Sequence, residues 1–338
     1  MSTSERNRAL LARQLLVERA RLPLPRAVER MGGIQAQYAP SSYIALWSRV
    51  EGFERSALTR ALHRRSLVQA TLLRGTIHIV SRRDYWPWAE AIRKPTRAWY
   101  RRVAPNVSMA DARSAGRKLR AALRDGPRTR AELLAVVGKE GWFACGLDVQ
   151  LVRVPPSGTW ERRRADLYAL AEDWVGPNTA SAAEGVELLV RRYLAAFGPA
   201  RPAAIRNWAR LDAEDLHRTL AKMTLRRFHD EQGNELVDLP RAPLPDPETP
   251  VPARFIPTWD AMLLVHARAT GVLPEEFRPR IFTSKLPSSI HTFLLDGAVA
   301  GAWRYENGRI ELQPFRRLTR AERSELEEEG ERLAAFHA

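Results

Sequence analysis

Two glutamines one residue apart, Gln35 and Gln37 in "GGIQAQYAPSSYIALWSR", are the residues whose type and spacing first invite a chemical reading. A neutral amide is neither a strong acid nor a strong base, but its oxygen accepts and its NH2 donates, so a pair can hold a water molecule between them. Residues i and i+2 point the same way only on extended chain and splay apart on a helix. Two cooperating amides therefore require a loop or strand here. Gly32 and Gly33 interrupt the preceding helix and let the backbone come close to whatever lies against it. Alone, a Gln-x-Gln is a weak signal, more often a solvated surface accident than a site.

Other constellations are weaker still. No phosphate-binding loop, dinucleotide-binding glycine fingerprint, nucleophile elbow or HExxH element is present. Asp212, Glu214, Asp215 and His217 cluster as the start of a helix, where carboxylates complement the dipole. Cys145 is the single cysteine, so an internal disulfide or a cysteine-based zinc site cannot be built. Neither a metal nor a cofactor is expected.

The elements that must position these residues follow from periodicity. Residues 5–19 read as an amphipathic helix carrying Leu10, Leu11, Leu15 and Val17. Pro23 and Pro25 break it before a second helix through Val28 and Met31. A third helix is expected in "PSSYIALWSRV", capped by Ser41 or Ser42. After "SALTRALHRR", the stretch "LVQATLLRGTIHIV" alternates around Arg74 and Gly75 as a hairpin.

The same order returns from Ser108 to about Trp174, with a helix to Leu123, a break at "RDGPRTRAELLAVV", another helix near 146–153 and then "GTWERRRADLYALAEDW". It returns again from Ala182 to about Leu239, ending in the hairpin "RRFHDEQGNELVDL". The junctions "GPRTRAELLAVV" and "GPARPAAIRNWA" share Gly-Pro before a helix start, glycine ending one helix and proline forbidding its continuation. The expected fold class is α+β, mainly α, with three tandem winged-helix units.

The expected units span 1–105 (with the glutamine pair), 106–178 and 179–240. The remaining 241–338 holds the linker "LPRAPLPDPETPVPARF", a small antiparallel sheet turning at Asp296-Gly297 and Asn307-Gly308, and a helix capped at Thr319 whose acidic run reads as a solvated face.

Charge points to the partner. The 338 residues carry 54 basic and 39 acidic side chains, a formal net charge of +15, and 49 of the basic residues are arginine. GC-rich coding explains arginine in place of lysine but not the excess over acids, and the arginine fork suits phosphate oxygens and guanine edges. Nucleic acid is the expected partner, with an acidic membrane surface or a merely solvated basic face as alternatives. Basic and aromatic residues interleave in "RRDYWPWAEAIRKPTRAWYRR" and "GTWERRR". Trp86, Trp88 and Trp99 read as core before DNA wedges. Arg162, Arg163 and Arg164, after Trp160, read as DNA contacts before solvated charge. The N-terminus lacks a signal peptide's apolar core, and no apolar run approaches the roughly 20 residues that span a bilayer. The expectation is a cytoplasmic, nucleoid-associated monomer.

The set "GGIQAQYAPSSYIALWSR", "LLRGTIHIV", "VPPSGTW", "FGPARPAAIRNWA" and "DGAVAGAWR" resembles the AlkZ/YcaQ family of winged-helix DNA glycosylases over nearly the whole chain. The resemblance implies a C-shaped clamp on double-stranded DNA and excision of N7-alkylated purines, including unhooking of interstrand crosslinks. It also implies catalysis by a Gln-x-Gln pair (Gln-x-Asp in the other branch), here Gln35 and Gln37. By the same comparison Tyr38, Arg74, Thr76 and His78 lie near the site. His78 would support the glutamines, touch a phosphate or be a buried structural residue. "FIPTWDAMLLVHAR" departs from the family pattern, with Trp259 and Asp260 in the altered segment. The competing reading is a non-catalytic winged-helix DNA-binding protein such as a transcriptional regulator.

Overall fold

The structure is a computed structural model that describes residues 1–266, 269–282 and 290–338. Helix α1 (Thr3–Arg13) opens on a capping box, with Ser2 accepting from the Glu5 amide and the Glu5 carboxylate accepting from Ser2. It ends well short of residue 19, because Leu15 turns into the left-handed region. α2 (Leu24–Arg30) has Pro25 in its first turn, and β1 (Ile34–Gln35) follows. α3 (Ala39–Trp47) starts after Tyr38, not at Ser41 or Ser42, which lie buried inside it. The reason is Pro40, which fits a first turn where its missing N–H is no loss.

α4 (Arg55–His63) leads into the expected hairpin, β2 (Leu67–Thr71) and β3 (Ile77–Ser81), joined by a 3-10 turn at Leu73–Gly75. α5 (Arg82–Ala91) and α6 (Arg93–Val103) come next.

α7 (Met109–Ala122) begins at its Ser108 cap. β4 (Arg128–Thr129) and α8 (Arg130–Cys145), bent at Gly138, follow. The helix expected near 146–153 is absent: Leu151–Arg153 is strand β5, with β6 (Leu167–Leu170) and α9 (Ala171–Val175) after it. β5 pairs with β2, Ala70 opposite Val152, so both hairpins belong to one six-stranded antiparallel sheet ordered β1-β3-β2-β5-β6-β4. The free edge of β2 and the complete burial of Val152 and Val154 decided against a helix.

α10 (Ala182–Phe197) places Val186, Leu189, Val190, Tyr193, Leu194 and Phe197 on one buried face at helical spacing. It packs closely on α5, since a Cβ on Gly185 would stand 2.2 Å from the Pro87 carbonyl oxygen. α11 (Pro202–Ala209), α12 (Ala213–Lys222) and the hairpin of β7 (Arg226–His229) and β8 (Glu235–Asp238) complete this part. Arg13 of α1 is tied to it by an ion pair with Asp238 at 2.8 Å, both side chains fully buried.

After an irregular proline-rich stretch, β9 (Arg254–Ile256), α13 (Arg278–Ile281), β10 (Thr292–Leu295), β11 (Ala298–Glu306), β12 (Arg309–Pro314) and α14 (Arg320–His337) follow. The sheet order is β12-β11-β10-β9, with both expected two-residue turns in place and Thr319 capping α14. The acidic run of α14 is not wholly solvated: Glu329 is buried and pairs with Arg19 and Arg254. The chain is thus mixed α/β with small antiparallel sheets. Among the described residues no helix is long and apolar enough to cross a membrane.

Candidate active site

Gly32 and Gly33 both adopt positive φ, at 74° and 77°. Space as well as conformation demands glycine: a Cβ on Gly33 would stand 2.9 Å from the Trp88 ring, and one on Gly32 3.0 Å from Phe197. The close approach that the glycines permit is therefore to the aromatic core. Trp88, Trp208, Tyr193 and Phe197 form a nest of edge-to-face and tilted rings there.

From this floor the chain leaves extended. β1 pairs with β3, Gln35 opposite His78, and the Ala36 amide donates to the Ile77 carbonyl at 2.7 Å. Gln35 thus stands on extended chain, while Gln37 lies in the bend just beyond the strand. Gln35 is 5% exposed and its Oε1 accepts from Arg74 Nη2 at 3.0 Å. Gln37 is exposed and its Oε1 accepts from the Ile77 amide at 3.1 Å. The two amides thus grip the same hairpin from its buried and open sides. Each oxygen keeps a second lone pair, and neither Nε2 has a protein partner among the described residues.

Arg74 holds this arrangement from the hairpin tip, where its φ of 56° lies in the left-handed region. Its Nη1 donates to the Trp208 carbonyl, so one guanidinium ties Gln35 to the end of α11. Burial, and then the charge of Arg210, bring the Arg74 guanidinium down to about 10, leaving it charged at neutral pH. Thr76, just before β3, donates its Oγ1 proton to the Leu73 carbonyl at 3.0 Å and stands beside His78. His78 is 3% exposed, and its Nδ1 lies 3.1 Å from the Thr76 carbonyl oxygen, which assigns the proton to Nδ1. Burial first, then the Arg74 charge, push His78 down to about 3, so it is held neutral.

Gln35 also lines a small cavity of about 10 Å³ with Gly33, Ser41, Trp259 and Asp260. Its carboxylate, Asp260, is neutralised by Arg49 at 2.9 Å and accepts from the Met262 amide. That gives Asp260 a structural task in the segment that departs from the family pattern. The rest of that segment lies partly outside the described residues.

The β5–β6 loop reaches the open side. Arg163 donates to the Tyr38 hydroxyl at 3.1 Å, next to Gln37, while Arg162 and Arg164 pair with Asp166 at 3.5 and 3.2 Å and stay exposed. Trp160, on the same loop, is half-buried. It packs edge-on against Tyr43, Phe336 and His337, with the Arg55 guanidinium over its ring. Of the three tryptophans expected in the core, Trp86 and Trp88 are buried but Trp99 is 38% exposed. Sequence reasoning did not single out Arg210 or Trp208, which act through a charge and a backbone carbonyl that only folding brings to the hairpin.

Comparisons with known proteins agree with this architecture. The family model of AlkZ-like DNA glycosylases matches residues 28–336. Among solved structures the fold is similar to Streptomyces sahachiroi DNA glycosylase AlkZ, with a TM-score of 0.82 at 18% sequence identity, covering 100% of this chain and 97% of that one. No curated protein matches the sequence. With the family model matching nearly the whole chain, the protein belongs to the AlkZ-like DNA glycosylase family and is a DNA glycosylase.

Proposed function

We propose that the enzyme is a monofunctional glycosylase that hydrolyses the N-glycosidic bond of N7-alkylated purines in double-stranded DNA, bulky adducts and interstrand crosslinks included. Gln35 and Gln37 hold the attacking water. The observation that carries this reading is the pair itself: two neutral amides anchored to one hairpin by Arg74 and the Ile77 amide, beside a histidine kept neutral.

Such a site suits a substrate whose leaving group is already activated. Alkylation at N7 places a positive charge on guanine, so the base departs as a neutral molecule and the sugar gains oxocarbenium character. Water adds to C1′ and its surplus proton passes to solvent, so no strong acid or base is required. The free lone pairs of the two amide oxygens accept from that water and direct its own lone pair at C1′. Their dipoles also favour the positive charge growing on the sugar when the oxygens face it.

The surrounding organisation is read in the same way: three tandem winged-helix units, here 1–105, 106–178 and 179–240, close as a C-shaped clamp on the duplex, and the chain acts as a monomer. Arg163, lying over Tyr38 beside the exposed Gln37, is a DNA-backbone contact, joined by Arg162 and Arg164 once their pairing with Asp166 is exchanged for phosphate. An enzyme of this kind works at the nucleoid.

The test is direct. Duplex DNA carrying N7-methylguanine or a nitrogen-mustard crosslink is incubated with the protein and probed for alkali-labile abasic sites. Their formation is the expected result; failure on several N7 adducts with DNA binding intact would sink the lesion assignment.

A further inference from the structure

Behind the hairpin tip lies a second, larger cleft, of about 560 Å³, between α6, α8 and β5. That lies within the roughly 300–1,000 Å³ of a site that encloses a small organic group, room enough for a nucleotide. Its walls combine two kinds of side chain. Trp99, Tyr100, Trp142 and Tyr168 supply rings, and Arg74, Arg97, Arg130, Arg153 and Arg210 supply cations. The carboxylate on the lining, Asp148, is already paired with Arg120 at 2.8 Å.

The cations are not all spoken for. Arg97 Nε is buried without a hydrogen-bond partner, and among the described residues neither Arg97 nor Arg210 has a carboxylate to pair with. Arg210 stands near enough to Arg74 for its charge to be felt there. Like charges gathered around a walled cleft without counter-ions raise the local concentration of an anionic ligand. Trp99, exposed at 38%, presents the ring on which a planar group can stack.

We propose that this cleft binds an unpaired segment of DNA next to the lesion, with a base stacked on Trp99 and phosphates held by Arg97 and Arg210. In a paired duplex the base faces are covered by their neighbours, whereas an unpaired strand offers a ring face and a phosphate on every nucleotide, which is the alternation the cleft supplies. Opening the duplex at a damaged base creates such a strand. The inference rests on the assignment as a DNA glycosylase. Arg74 lines the cleft and also holds Gln35, so an occupant there touches the guanidinium that positions the glutamine.

The experiment uses the full chain with a short end-labelled oligothymidylate, and with a duplex bearing a single-stranded gap, titrated over a range of salt. Wild type should bind both. Trp99→Ala should weaken binding about tenfold, the effect of losing one stacked base. Arg97→Ala with Arg210→Ala should lower the slope of log affinity against log salt by about 1.4, the loss of two phosphate contacts on a single strand. Both variants alter part-exposed side chains, and circular dichroism checks their folding.

Wild-type affinity and salt slope in both variants would overturn the inference, as would failure of the wild type to bind oligothymidylate. Base release from an N7-methylguanine duplex, measured in parallel, separates the two readings. Its loss from the wild type counts against the proposed reaction, whereas its presence without oligonucleotide binding counts against the cleft alone.

Discussion

Replacing Gln35 and Gln37 separately by alanine should give two different phenotypes, although the residues are near-equivalent in sequence. Gln35 is buried and supplies an oxygen to the Arg74 guanidinium at 3.0 Å. Removing it strands a charged donor whose remaining acceptor is the Trp208 carbonyl, a loss of about 1.5–3 kcal/mol for a hydrogen bond to a charged group. Gln37 is exposed, and water replaces its oxygen at the Ile77 amide, so Gln37→Ala should stay within about 0.5 kcal/mol of wild type. Urea denaturation followed by tryptophan fluorescence measures both. Both variants should lose base release by roughly a hundredfold or more, as misplacement of a reacting group does, while DNA binding holds to within a few fold. A double-mutant cycle with Arg74→Ala isolates the contact and should return about 1.5–3 kcal/mol of coupling for Gln35. Equal stabilities for the two alanine variants, or a coupling below about 0.5 kcal/mol, would refute the view that Arg74 fastens Gln35.

Three further outcomes are expected. Gly33→Ala meets both a left-handed backbone and the Trp88 ring, and should destabilise by about 1–2 kcal/mol for the backbone and a further 1–3 for overpacking, whereas Gly52→Ala, with φ of 61° and open space around it, should show the backbone part alone; equal midpoints would remove the steric part of the reasoning. His78 is held neutral down to about pH 3 against an ordinary value of 6.5, so the unfolded chain takes up a proton that the folded one refuses. Its contribution is complete above pH 6.5 and falls as pH drops from there towards 3, by about 1.4 kcal/mol per unit, and His78→Gln should flatten the stability profile between pH 6 and 5. Arg13→Ala leaves the fully buried Asp238 carboxylate with Arg226 as its remaining cation, and should cost about 3–5 kcal/mol, read as a lower denaturation midpoint with no catalytic residue touched.

Local signals carried a good part of the architecture. Thr319 as a cap, the Arg74-Gly75 hairpin and the Asp296-Gly297 and Asn307-Gly308 turns all stand where short-range stereochemistry puts them, because such features depend on neighbours within a few residues. Two of the misreadings share one cause. Leu151–Arg153 became a strand because the edge of β2 was vacant, and Glu329 was buried because Arg19 and Arg254 converge on it. Each was decided by a partner far away along the chain.

The site divides in the same way. The amino-acid sequence by itself determined which groups are available: two neutral amides at i and i+2, a glycine pair before them, an excess of arginine and the motifs of a glycosylase family. Only the tertiary structure decided that Gln35 is buried and Gln37 exposed, that Arg74 joins one of them to α11, and that His78 stays neutral. Residue type and local conformation follow from short-range bonding. Burial, partner and protonation state depend on the free energy of removing each group from water, which is set by whatever the rest of the chain brings against it.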